Sequence, residues 1–231
     1  MALALPRRRA RAAIRVAAAA DVVVDVAVVL AVDVSGSVSD DRIRLQRRGY
    51  SEALRHPGFV AAVRSGPTGR MAMTFVQWSE ARRQEQTIAW RLIDDAASAA
   101  DFAASITGAQ IPMPGWTSIS AAIDFSARLF PASGLQAQRK VIDVSGDGSN
   151  NDGRPVTDAR DDAVAAGITI NGLPIVEVEP KLDEYYRRNV IGGPGAFIEV
   201  ARDTGAFSEA VLRKLLLEVA GIDGLRAFGQ G

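Results

Sequence analysis

Apolar residues run without a break over 26–32 and stop at Asp33-Val34-Ser35-Gly36-Ser37. A short continuous apolar run closed by a polar turn predicts a strand buried on both faces of a parallel sheet. The segment 139–144 repeats the pattern and ends in Ser145-Gly146-Asp147-Gly148. Between and after these runs the period changes. Ser39-Asp40-Asp41 reads as a capped helix start, with Ile43, Tyr50 and Leu54 on one face and Pro57-Gly58 as the stop. A short helical piece over 59–63 follows. Segments 70–79 and 84–90 have strand composition and lie close enough to pair as an antiparallel hairpin. Residues 94–106 are alanine-rich and helical, with a cap near Asp94.

The segment 108–116 carries two glycines and two prolines and reads as an irregular loop that delivers Thr117 to the next helix. That helix carries Ile119, Ala122, Ile123, Ser126 and Phe130 at helical spacing and closes at Pro131. After the 139–144 strand, a helix is predicted over 155–166, with proline in its first turn and Gly167 past its end. A strand over 168–178 kinked near Pro174, an amphipathic helix over 181–190, a last strand over 196–200 and a closing helix over 207–220 complete the order. Residues 222–231 read as a flexible tail. Strand and helix alternate apart from the one hairpin. The predicted fold class is therefore α/β: an open, doubly wound, mostly parallel sheet with one antiparallel edge strand and helices on both faces. Ligands in such sheets bind outside the carboxyl ends of the strands, where strand order reverses. Both polar turns sit at strand ends of that kind.

Composition narrows the chemistry. With 231 residues the chain can build one large domain, read over 22–221. Lysine plus arginine and aspartate plus glutamate both number 27, so no global charge draws it to nucleic acid or an anionic membrane. The absence of cysteine removes disulfides, thiolate metal sites and a cysteine nucleophile together. The sole histidine, His56, precedes Pro57 at a predicted helix end, and no G-x-S-x-G elbow accompanies it. Phosphate-binding glycine motifs of the P-loop and dinucleotide types are missing as well. Charges at Arg15, Asp21 and Asp25 interrupt the longest apolar region, so no transmembrane segment is expected. Residues 1–21 join a basic block (Arg7, Arg8, Arg9, Arg11) to an alanine run. They read either as a signal peptide cleaved before Asp21, which would make the protein periplasmic or secreted, or as a disordered leader of a cytoplasmic one.

Asp33, Ser35 and Ser37 place one carboxylate and two hydroxyls within five residues. All are hard oxygen donors suited to Mg²⁺ or Mn²⁺, and Gly36 lets the backbone between them turn tightly. Asp33-x-Ser35-x-Ser37 after an apolar strand, Thr117 opening a later helix, and Asp147 in a turn after another strand together resemble the von Willebrand factor A (vWA) superfamily, over nearly the whole chain. The strand end 141–148, Asn150-Asn151 and Asn171-Gly172-Leu173-Pro174 are similar to an uncharacterised bacterial vWA-like family, often exported. The resemblance implies a Rossmann-like fold with a metal-ion-dependent adhesion site. In it Ser35 and Ser37 would bind the cation directly, Thr117 directly or through water, and Asp33 and Asp147 would supply carboxylates. A remaining position would accept an acidic group from a protein partner. One departure stands out: the usual Thr-Asp-Gly turn is here Ser145-Gly146-Asp147-Gly148.

Around this set, Asp143 reads as a second-layer acid or as a buried residue bonded to backbone. Trp116 reads as a rim contact or as packing under the proline loop, while Trp78 and Trp90 read as core. Asn150 and Asn151 are further rim candidates. Tyr185-Tyr186-Arg187-Arg188 reads as a solvated helix face, with a partner surface as the rival. With no general base besides the ligands and the remote His56, the expectation is a binding module and not an enzyme. A metal-dependent hydrolase and a structural domain with a vestigial site are the alternatives.

Overall fold

The computed structural model describes residues 22–110, 115–203 and 206–228, with side chains through residue 220. The leader read over 1–21 and part of the proline loop lie outside the described residues. Five strands form one sheet: β1 (Val22–Asp33), β2 (Met71–Trp78), β3 (Gln84–Ile93), β4 (Leu135–Gly146) and β5 (Thr169–Pro174). Their order is β3-β2-β1-β4-β5. Only the β2–β3 pair is antiparallel; β1 pairs in parallel with both β2 and β4, and β4 with β5. The helices are α1 (Asp40–Arg55), α2 (Pro57–Arg64), α3 (Ala96–Gly108), α4 (Ile119–Leu129), α5 (Val156–Ala165), α6 (Leu182–Tyr185) and α7 (Phe207–Phe228). This is the expected α/β architecture.

β1 explains why the sheet is covered on both sides. Its residues from Val26 to Asp33 are all buried. Val26, Val28, Leu30 and Val32 face one core with Tyr50 and Leu54 of α1, Phe59 of α2, Phe102 of α3 and Phe207 of α7. Ala27, Val29 and Ala31 face the other, with Ile119 and Ile123 of α4, Val156 of α5 and Tyr186 and Val190 beyond α6. Each large aliphatic side chain buried in this way contributes about 1.5–3 kcal/mol. A strand buried on both faces therefore anchors everything attached to its end.

Several boundaries differ from the sequence reading. The cap of α3 is Asp95, which forms a reciprocal capping box with Ser98, and not Asp94. β5 stops at Pro174, opposite Gly146 where β4 also ends. The strand expected over 196–200 is reduced to the isolated bridges Gly172↔Ile198 and Ile175↔Ala201. Part of the reason is that Asn171 Oδ1 takes the Phe197 amide at 2.9 Å in place of a backbone carbonyl. The helix expected over 181–190 is α-helical only to Tyr185, and 186–190 widen into a π-helical turn. The closing helix does not end at Ala220 but continues to Phe228 through Gly221 and Gly224. Each glycine lowers helix propensity by about 1 kcal/mol without breaking it. Among the described residues no helix is long and apolar enough to cross a membrane.

Candidate metal centre

β1 and β4 are neighbours, with Val32 opposite Ser145, and their chains leave in opposite directions across the sheet. The strand-order reversal therefore falls between Asp33 and Gly146, and the loops that follow emerge side by side. In the first loop the Ser35 amide donates to Asp33 Oδ1 at 2.7 Å, closing a tight turn around the carboxylate. Gly36 is not among the positive-φ glycines; its amide donates to Gly115 O at 2.8 Å and ties the first loop to the second. Val34, Val38 and Ile43 form a small apolar cluster that holds the loop down before Ser39 caps α1.

The second loop is fixed by the third. The Thr117 amide donates to Asn151 Oδ1 at 2.9 Å, and Thr117 O accepts the Asn151 amide at 2.9 Å. Asn150 Oδ1 accepts the Ser120 amide at 3.0 Å, and its Nδ2 donates to Asp152 O and Arg154 O. The two asparagines thus clamp the start of α4 to the loop after β4. The third loop is also held from outside by Glu179, which accepts the Ser149 amide at 2.9 Å and the Ser149 hydroxyl.

These ties bring all five predicted side chains together. Thr117 Oγ1 donates to Ser35 Oγ at 3.3 Å. Ser35 Oγ and Ser37 Oγ are 3.2 Å apart, and Ser37 Oγ donates to Asp147 Oδ1 at 2.5 Å. Asp33, Ser35, Thr117 and Asp147 are buried, while Ser37 is exposed, so the cluster opens to solvent on one side. Trp116, which precedes Thr117, has 67% of its surface exposed, which argues against packing under the loop.

Two buried carboxylates set the electrostatics of the cluster. Asp33 Oδ2 and Asp147 Oδ2 are buried without a hydrogen-bond partner. Burial pushes the Asp33 carboxyl up to about 7, against the lowering effect of the Ser35 amide. Burial also raises Asp147, partly offset by the Ser37 hydroxyl and by Arg42. Arg42 Nη1 lies 3.8 Å from Asp147 Oδ2, beyond hydrogen-bond reach, and its other nitrogen binds Glu177 at 3.0 Å. Among the described residues no three His, Cys, Asp or Glu side chains gather as a metal-binding group. The cluster is instead two carboxylates and three hydroxyls. That set fits a hard divalent ion. Oxygens on adjacent octahedral positions around Mg²⁺ lie about 2.9 Å apart, and the separations here, 2.5–3.3 Å, bracket that spacing. Two orphaned carboxylate oxygens supply the charge such an ion neutralises.

Asp143 belongs elsewhere. It is buried on the opposite core, 3.1 Å from Lys214 Nζ of α7, which also donates to Glu218 at 2.9 Å. It is a buried ion-pair member, not bonded to backbone. His56 caps α2, accepting the Gly58 amide at 3.1 Å. Trp78 is core as expected, and Trp90 is half-buried with its indole nitrogen donating to Leu129 O. Tyr186, read as part of a solvated face, is fully buried. Arg42, Glu179 and Tyr186 were not singled out by the sequence as parts of this region. Each reaches it from a helix or turn whose docking no local pattern reveals.

Residues 23–223 match the model of a family described as a protein of unknown function, DUF1194. No curated protein matches the sequence. Among solved structures the chain is similar to proximal thread matrix protein 1 from the mussel byssus. The TM-score is 0.63 and the identity 15%, over 86% of this chain and 49% of that one. Another structure of that protein, described as having a zinc occupied MIDAS motif, gives 0.54 and 15% over 85% and 47%. A von Willebrand factor type A from Catenulispora acidiphila gives 0.62 and 16% over 85% and 43%. The pilus adhesin SpaC from Lactobacillus rhamnosus GG gives 0.59 and 14% over 85% and 31%. The chain spans about half the length of the first of these or less. The fold they share is the vWA fold, as the resemblance in the sequence implied.

Proposed function

The chain belongs to DUF1194, a family of proteins of unknown function, and we propose that it is a divalent-metal-dependent protein-binding module. Asp33, Ser35, Ser37, Thr117 and Asp147 would hold Mg²⁺ or Mn²⁺, and the partner would present an Asp or Glu carboxylate. One observation carries this reading: side chains from three separate loops meet in a continuous chain of oxygens beside two buried, unpartnered carboxylate oxygens. The zinc occupied MIDAS motif of the mussel protein supports a divalent ion in a vWA fold. When bound, the ion supplies a Lewis-acidic point that accepts an anionic oxygen.

The chain's own residues do the rest. Ser35 and Ser37 offer neutral hydroxyls, so few anions crowd the centre and a further carboxylate is still attracted. Asn150 and Asn151 hold Thr117 in place. Exposed Trp116 gives the partner an apolar contact beside the opening. The basic, alanine-rich leader supports a place outside the cytoplasm. Fractionating the source cell and sequencing the amino terminus checks this: protein outside the cytoplasm with a start near Asp21 supports export by a cleaved leader, and protein confined to the cytoplasm with a start at Met1 contradicts it.

Calorimetric titration of chelator-stripped protein with Mg²⁺ tests the central reading. One site is expected in the wild type and none in Asp33→Ala, with circular dichroism unchanged. Failure of the wild type to bind Mg²⁺ or Mn²⁺ overturns the proposal.

A further inference from the structure

Tyr186 opens the π-helical turn after α6, a type of local widening often found at functional sites. It is fully buried, and its hydroxyl has no hydrogen-bond partner. Leaving a buried hydroxyl unpaired costs about 1–3 kcal/mol. Phenylalanine would fill the same space without that cost. The ring reaches its place because two strand ends carry glycine. A Cβ at Gly172 would lie 2.6 Å from Tyr186 Cδ1, and a Cβ at Gly146 would lie 3.0 Å from its hydroxyl oxygen. That same Cβ at Gly146 would lie 2.9 Å from Asp33 Oδ2.

Two orphaned polar atoms therefore converge over the bare face of one glycine. The Ser35 amide serves Asp33 Oδ1, and Oδ2 is left without a hydrogen-bond partner. A carboxylate this deep holds its charge only when its lone pairs are satisfied. The departure of Ser145-Gly146-Asp147-Gly148 from the usual vWA turn also gains a physical reason. Any side chain at position 146 would occupy the space into which both Tyr186 and Asp33 point.

We propose that Tyr186 is a positioning residue of the metal centre, its hydroxyl donating to Asp33 Oδ2, directly or through one bridging water, while the cation is bound. The proposal rests on the metal-binding reading above. It assigns Tyr186 the outer-layer role of fixing a carboxylate against the ion, a role whose loss costs about 10–100-fold in metal affinity.

The test titrates the full chain with Mn²⁺ in a calorimeter, for the wild type and for Tyr186→Phe, and melts both in excess chelator. Tyr186→Phe is expected to bind Mn²⁺ at least about tenfold more weakly. Its melting temperature in chelator should be no lower than that of the wild type, because the ring stays and an unpaired hydroxyl goes. The tyrosine ultraviolet difference spectrum that Mn²⁺ evokes in the wild type should vanish in the variant. Affinity within roughly twofold of the wild type overturns the role of Tyr186 alone. Equal loss of affinity and of chelator-state stability also overturns it, in favour of a packing role. A wild type that binds no Mn²⁺ overturns the metal-binding reading, and the Tyr186 proposal with it.

Discussion

At the scale of single residues, Asp33 carries the most tension. It is completely buried, with one oxygen bonded to an amide and the other to nothing. Burial raises its carboxyl from 3.8 to about 7. A raised acid favours the fold most when protonated. Its contribution is fully present below the unfolded value near 4 and is lost as pH rises through about 7. In chelator the melting temperature should therefore fall between about pH 4 and pH 7, the range this shift spans, and Asp33→Asn should flatten the fall. A slope equally steep in the variant would mean that the strain lies elsewhere. The five cluster residues were legible in the sequence because each follows a strand or opens a helix, where backbone order alone fixes which end of the sheet it reaches. Tyr186 was not. It lies between Tyr185 and Arg187 in an amphipathic run, where it shares the buried face with Leu182 and Val190 at four-residue spacing, and that spacing does not say which end of the sheet the face meets.

Secondary-structure elements hold these residues through ties that differ in strength. The clamp between the second and third loops depends on Asn150, which serves one amide and two carbonyls. Asn150→Ala leaves the Ser120 amide unserved and should destabilise the protein by about 1–3 kcal/mol in urea denaturation. Metal affinity should fall with it, since the loop whose Asn151 holds Thr117 loses its second tie to α4. On the other core, Lys214 of α7 lies between Asp143 of β4 and Glu218, all three buried. Glu218 in turn accepts from Asn171 Nδ2 at 2.8 Å, joining α7 to β5. Lys214→Met strands two carboxylates without a counter-charge and should cost about 3–5 kcal/mol, read from the same denaturation curves. Asp143 shows a limit of sequence reading. Its position in the strand was plain, but its partner lies 71 residues away on a helix face that also looks apolar. The hairpin, the two central strands and the α1 cap were legible because periodicity and capping are local. The extent of β5 and of α7 was not, because β5 ends where its neighbour β4 ends and α7 runs on through Gly221 and Gly224.

For the whole molecule, strand order matters more than any single contact. The chain builds β1, turns one way to β2 and β3, and returns to lay β4 on the other side of β1. That reversal parts the two outgoing loops and opens the cleft in which the cluster sits. A cation bound there joins three loops that contribute little apolar burial of their own. Saturation at 100 times the dissociation constant should add about 2.7 kcal/mol to the unfolding free energy. The most direct measurement is anomalous diffraction from crystals grown with Mn²⁺. The account predicts one strong peak within direct bonding distance of the Ser35 and Ser37 hydroxyls, flanked by Thr117, Asp33 and Asp147. A difference map without such a peak, or with Mn²⁺ bound only away from these side chains, would contradict it.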